Sequence, residues 1–110
     1  MFTLITLVRK NPEISTKDFR DFMEFIYGPI YAALPQTREY IHYYASEETS
    51  DHEKQKIDAI VKISFQSHNE MHDALKSDSY KQAQEMRQRY MQSTSTGIHS
   101  VIIDKTVKFV

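Results

Sequence analysis

The chain has 110 residues, with 14 basic and 15 acidic side chains and a formal net charge of -1. Its Lys and Arg residues are scattered rather than massed on one segment, which leaves no electrostatic footprint for DNA or RNA. The absence of cysteine excludes a disulfide framework, a thiolate nucleophile and Cys-ligated zinc or iron–sulfur centres, and two glycines leave no room for a Gly-rich phosphate loop. A single domain spanning 1–110 is expected, burying roughly two-thirds of the surface that the unfolded chain exposes. The apolar run Met1 to Val8 is too short to cross a bilayer and lacks the basic start and cleavage site of a secretory signal. A cytoplasmic protein with no membrane partner is therefore expected.

Phe2 to Arg9 is β-branched, aromatic or apolar almost throughout, as in a central strand, and Lys10-Asn11-Pro12 ends it. Ser15 offers an N-cap with Asp18 three positions on, so a helix is predicted from Thr16. Phe19, Phe22, Met23, Ile26 and Ile30 follow its apolar stripe, while Lys17, Asp18, Arg20, Asp21 and Glu24 fall opposite. Gly28-Pro29 is predicted to end this helix, because proline lacks an N–H and disfavours helical geometry before it. Tyr27 and Tyr31 flank the break, which marks the place to look for a ligand.

After Pro35, Thr37 to Ala45 reads as a second strand with Tyr40, His42 and Tyr44 on one face and Glu39, Ile41 and Tyr43 on the other. The polar stretch 46–56 reads as a solvated connection, and Asp58 to Phe65 as a third strand. Ser67 caps a short helix carrying Met71, Ala74 and Leu75. A break near Ser77-Asp78-Ser79 precedes a second helix with Ala83, Met86, Tyr90 and Met91 on its stripe and the pairs Lys81–Glu85 and Glu85–Arg89 outside. Gln92 to Gly97 leads into a long last strand, Ile98 to Val110. The order is strand, helix, strand, strand, helix, strand. This is the α+β, ferredoxin-like βαββαβ pattern, a four-stranded antiparallel sheet with its helices on one face. The other face needs a cover, and a homodimer is the simplest one.

Among chemistry-bearing residues, His42 is the acid/base candidate if its strand face lines a cavity; the same face would otherwise form an interface. Asp58 orients a tyrosine or histidine, binds a ligand hydroxyl, or simply bonds backbone at the strand entrance. His99, on the last strand, is either a satisfied core histidine or a second proton carrier. His68 and His72 stand one helical turn apart, but no third ligand is identifiable, so no metal is expected. The methionines fall on helical core positions and need no cofactor to explain them.

A strand ending in Arg9, the helix opening Ser15-Thr16-Lys17-Asp18-Phe19-Arg20, Gly28-Pro29, Leu34-Pro35, and Asp58-Ala59-Ile60-Val61 follow one another in a familiar order and spacing. In these the chain resembles the EthD-like family of the dimeric α/β barrel superfamily, over nearly its whole length. The resemblance implies two ferredoxin-like sheets packed face to face and a cofactor-free pocket between sheet and helices for a compact organic metabolite. It implies dehydration, decarboxylation or cyclisation by acid/base chemistry, with Tyr27 or Tyr31 orienting a substrate oxygen, Tyr40 and Asp58 in contact with the substrate, and His42 or His99 exchanging the proton. Many relatives carry His directly before the Gly/Ala-Pro pair, where this chain has Tyr27. A phenol with an ordinary pKa of about 10 is a poor proton carrier at neutral pH. A non-catalytic binding or accessory protein is the alternative, and a cofactor-independent monooxygenase a further one.

Overall fold

The structure is a computed structural model that describes residues 1–48, 56–93 and 98–110, with the side chains of residues 98 and 99 left aside. Strands β1 (Phe2–Val8), β2 (Thr37–Tyr44), β3 (Ala59–Phe65) and β4 (Ile98–Ile102) form one antiparallel sheet in the order β2-β3-β1-β4. The ferredoxin-like order expected from the sequence is thus the observed one. The polar connections 46–56 and 92–97 were expected as solvated segments; residues 49–55 and 94–97 of them lie outside the described residues.

Register decides which face each side chain takes. Leu4 pairs with Ile63, Thr6 with Val61 and Val8 with Ala59, while across β3 Tyr40 pairs with Ile63, His42 with Val61 and Tyr44 with Ala59. Opposed residues share a face. Tyr40, His42 and Tyr44 therefore stand with buried Val61 and Ile63 beneath the helices. The pairing slips by one residue between Thr37 and Glu39, which sets the phase of everything after it on β2. The opposite face carries exposed Tyr43, Ile60 and Val101.

Serine caps start the helices. Ser15 Oγ accepts the Asp18 N–H at 3.0 Å to open α1 (Thr16–Phe22), Ser67 Oγ accepts from Glu70 at 3.2 Å for α3 (His68–Leu75), and Ser77 Oγ accepts from Tyr80 at 3.2 Å for α4 (Asp78–Tyr90). Each cap satisfies an otherwise unpaired backbone donor and contributes about 1 kcal/mol. Phe19, Phe22 and Met23 fill the core between α1 and the sheet, and Phe22 stacks on Tyr90 of α4 with ring centroids 3.9 Å apart.

The Gly28-Pro29 pair does not end the first helix, contrary to the sequence expectation. The chain passes from α1 through a π-helical turn, Met23–Tyr27, directly into α2 (Gly28–Ala32). Proline in a continuing α-helix removes one hydrogen bond and its ring collides with the carbonyl four residues back. Here the turn widens, and the Gly28 N–H reaches back five residues to the Met23 carbonyl. Gly28 itself is ordinary right-handed helix, φ -58° and ψ -47°, so its freedom of dihedral angle is not used. Its missing side chain is what matters. A Cβ there would lie 2.7 Å from the Met23 oxygen and 3.0 Å from His42 Cε1.

The last strand is also shorter than its alternation suggested. β4 runs antiparallel to β1 with Leu4 opposite Ile102, and the Ile103 N–H still bonds the Thr3 carbonyl at 2.9 Å. Beyond that point residues 104–110 continue outside the sheet, with Phe109 and Val110 exposed.

Gly28→Ala should therefore destabilise the fold by about 1–3 kcal/mol, the usual cost of forcing a methyl group into filled space. A urea unfolding midpoint equal to that of the wild type would contradict the close approach to Met23 and His42.

Candidate functional site

Tyr27 and Tyr31, one on each side of Gly28-Pro29, are both buried, and their hydroxyls lie 3.0 Å apart. From α4, Arg87 Nε donates to Tyr27 Oη at 2.8 Å and Nη2 to Tyr31 Oη at 3.0 Å. The Tyr31 ring stacks on Tyr40 of β2 with centroids 5.3 Å apart, and Tyr80 of α4 meets it edge-on at 5.9 Å. Gln84 Nε2 holds the Tyr80 hydroxyl at 2.7 Å. The four tyrosines and Arg87 line a cavity of about 130 Å³ whose floor is Leu4, Val61, Ile63 and Phe65. Thr6 and Ser100, joined hydroxyl to hydroxyl at 2.9 Å, add polar groups to its wall.

His42 does not line this cavity. It stands behind Tyr40, its Nε2 2.8 Å from Tyr40 Oη and its Nδ1 3.3 Å from Tyr44 Oη. Beyond Tyr44, the Arg20 guanidinium covers that ring at 4.9 Å and its Nη2 donates to the Ala45 carbonyl. A row of polar groups thus runs along one face of β2, from the cavity wall at Tyr40 towards the start of α1.

Burial dominates the protonation equilibria. It pushes the Tyr31 and Tyr40 phenols far above their ordinary 10, with neighbouring Tyr27 adding to this and Arg87 only partly opposing it. Tyr44 is pushed up to about 12 by burial and by Glu24, against Arg20. All three are neutral phenols at physiological pH. Burial lowers His42 below 6.5, so its imidazole is neutral too. Burial also opposes the charge on Arg87, but the facing Tyr27 and Tyr31 outweigh it and hold the side chain as guanidinium.

The remaining sequence candidates are placed elsewhere. Asp58 Oδ2 accepts the Lys10 N–H at 2.9 Å, and its backbone bonds Val8 and Ala45; it knits the strand entrance and does not line the cavity. His99 pairs with Leu7 in the β1–β4 register, and its side chain lies outside the described residues. The His68 and His72 rings pack edge-on at 4.6 Å, and no group of three metal-ligating side chains occurs among the described residues. Sequence reasoning missed Arg87 and Tyr80. Their signal was present: Tyr80, Ala83, Arg87 and Met91 recur at helical spacing, which puts a cation on a stripe otherwise destined for the core.

Residues 11–94 match the EthD domain, and the chain belongs to that family. No curated protein matches it. Among solved structures it is similar to an EthD family protein from Bacillus halodurans, at 12% identity and a TM-score of 0.73, over 96% of this chain and 100% of that one. HapK from Hahella chejuensis is similar at 10% identity and a TM-score of 0.76, over 100% and 97% of the two chains. A dimeric ferredoxin-like protein from Thermobifida fusca follows at 13% identity and a TM-score of 0.71, over 93% and 88%. At these identities the likeness is one of fold.

Because the folded state holds His42 below 6.5, the unfolded chain takes up that proton first as pH falls. The contribution of His42 to stability is complete above 6.5 and declines as pH drops from there towards the folded value. The urea midpoint of the wild type should accordingly fall more steeply below 6.5 than that of His42→Gln, which keeps hydrogen-bonding capacity without titrating. Parallel pH curves for the two proteins would contradict the buried, neutral imidazole.

Proposed function

We propose that the chain is a single-domain, homodimeric, cofactor-free enzyme that binds a compact organic metabolite in the cavity between sheet and helices. We assign it acid/base chemistry of the dehydrating, decarboxylating or cyclising kind. The observation that carries this is the hydrogen bond between the cavity-lining Tyr40 and a neutral His42. Either tautomer of His42 gives a working pair. With Nε2 as acceptor, Tyr40 passes its own proton to the imidazole while its oxygen takes one from the substrate. With Nε2 protonated, Tyr40 donates to a substrate oxygen and takes the Nε2 proton, while Nδ1 takes one from Tyr44, whose oxygen is reprotonated from solvent. Tyr44 accompanies both by accepting from, or donating to, Nδ1. Tyr27 and Tyr31, fixed by Arg87, orient the substrate oxygen.

The test does not require the substrate to be identified beforehand. Metabolites retained by the purified protein in ligand-observed NMR are incubated with it in deuterated water, and their acidic C–H positions are followed. Exchange or conversion should occur and should drop by about 10²-fold or more in Tyr40→Phe and in His42→Gln, the usual worth of a positioned acid/base group. Retained ligands that neither exchange nor convert would instead make this a binding or accessory protein, and oxygen uptake during conversion would move it to the monooxygenase class.

The exposed sheet face bearing Tyr43, Ile60 and Val101 supports the homodimer, since a second copy covers that apolar surface with its own. Light scattering at micromolar concentration should give twice the chain mass for the wild type and the single chain mass for Ile60→Glu. A folded wild-type monomer would sink the sheet-to-sheet pairing.

A further inference from the structure

The bonds around Arg87 leave hydrogen atoms over on every side. A guanidinium has five N–H donors and no acceptor, and only Nε and one N–H of Nη2 are used, both on phenol oxygens. Tyr27 and Tyr31 share one hydroxyl proton between them; the other finds no acceptor among the described residues. Left over beside the cavity are therefore the two N–H of Nη1, the second N–H of Nη2 and a phenol O–H, and every one of them is a donor. The charge itself is equally unanswered. Among the described residues the ion pairs are Lys17–Asp21 and Lys62–Glu39, and Arg87 has no carboxylate partner. A half-buried cation held by phenol oxygens alone has desolvation opposing it and no ion-pair partner. The Tyr31 phenol stays neutral because burial raises it more than Arg87 lowers it.

Shape agrees with charge. Most of the remaining lining is apolar, Leu4, Val8, Val61, Ile63, Phe65 and Leu75 among it, and its other polar groups are already engaged: Thr6 with Ser100, Tyr40 with His42 and Tyr80 with Gln84. The volume, about 130 Å³, is close to the ~150 Å³ of an apolar cavity that takes up benzene. Arg87 also borders the outer groove along α4, with Lys81, Gln84 and Gln88, so it sits at the solvent end of the cavity. Glu85 shares that groove without pairing to it. The arrangement fits a molecule with an apolar one-ring body inside and an anionic head at the mouth.

We infer that Arg87 is an anion anchor and that the ligand of this cavity is a one-ring organic acid, its carboxylate held by the outer guanidinium edge and the spare tyrosine hydroxyl. The side edge of Arg87, Nε with Nη2, is already occupied by the two phenol oxygens, which leaves the Nη1/Nη2 edge for two parallel hydrogen bonds to the carboxylate. This inference rests on the cavity being the ligand site proposed above.

Benzoate and nitrobenzene, equal in shape and differing in charge, separate the two claims. Chemical-shift titration of the full chain should place both at cavity residues such as Leu4 and Val61. Benzoate should bind at least about tenfold more tightly, as expected when a charge-assisted pair replaces a neutral one. Arg87→Met should abolish that preference, and Arg87→Lys should restore part of it. Binding of nitrobenzene as tight as that of benzoate to the wild type would overturn the anion anchor and leave the cavity standing as a ligand site. If neither probe shifts cavity resonances at millimolar concentration, the ligand site itself falls. The wild-type comparison decides the matter even if Arg87→Met does not fold.

Discussion

A proline placed inside a helix that must nonetheless continue is the constraint on which the site depends. The chain meets it by widening one turn, so that Gly28 bonds Met23 rather than the carbonyl one position nearer. Two consequences follow from that detour. The widened turn brings the Gly28 backbone so close to Met23 that no side chain fits, and the surface left bare by the absent Cβ is where the His42 ring lies. It also carries Tyr27 and Tyr31 through the break on the buried side, with their hydroxyls within hydrogen-bond reach of one another. Glycine before proline serves this geometry in a further way, since the pre-proline clash involves the Cβ that glycine lacks.

Around that turn the polar groups divide into two sets. Arg87, Tyr27 and Tyr31 are rich in donors and carry fixed charge; Tyr40, His42 and Tyr44 are neutral and exchange donor and acceptor roles with the imidazole tautomer. The stacked rings of Tyr31 and Tyr40 join the sets without a hydrogen bond between their hydroxyls. Under the function proposed above, binding by charge falls to Arg87 and movement of a proton to Tyr40, which both line the cavity, with His42 behind Tyr40. The separation has a physical basis. A guanidinium cannot lose its proton in any accessible range, and an imidazole held neutral by burial cannot supply a permanent charge.

The sequence carried the element order and the caps because these are local signals. Ser15, Ser67 and Ser77 each precede an amphipathic run, and the strands announce themselves by alternation and β-branching. What was not legible depended on tertiary partners. Gly28-Pro29 reads as a stop because local rules make it one; only packing against His42 and the core held the helix together across it. The last strand stops at Ile102, opposite Leu4, although the apolar alternation runs on to Val110, because alternation records a pattern and not a pairing partner. Arg87 was hidden by its neighbours: Lys81, Glu85 and Arg89 make α4 look like a solvated charge ladder, and a cation on the buried stripe is lost among them.

The assignment of faces on β2 bears on how site and surface relate. Tyr40, His42 and Tyr44 look towards the helices, whereas Tyr43 of the same strand is exposed on the far side. A one-residue slip would exchange these sets, and the shift between Thr37 and Glu39 shows how narrowly the phase is determined. With the phase as it stands, the cavity is closed by the helices and sheet of one chain, and the outer apolar face is free of any part in it. Pairing of two sheets through that face would reach the cavity only through the strand backbones. It would stiffen the floor formed by Leu4, Val61 and Ile63 without adding a side chain to the chemistry.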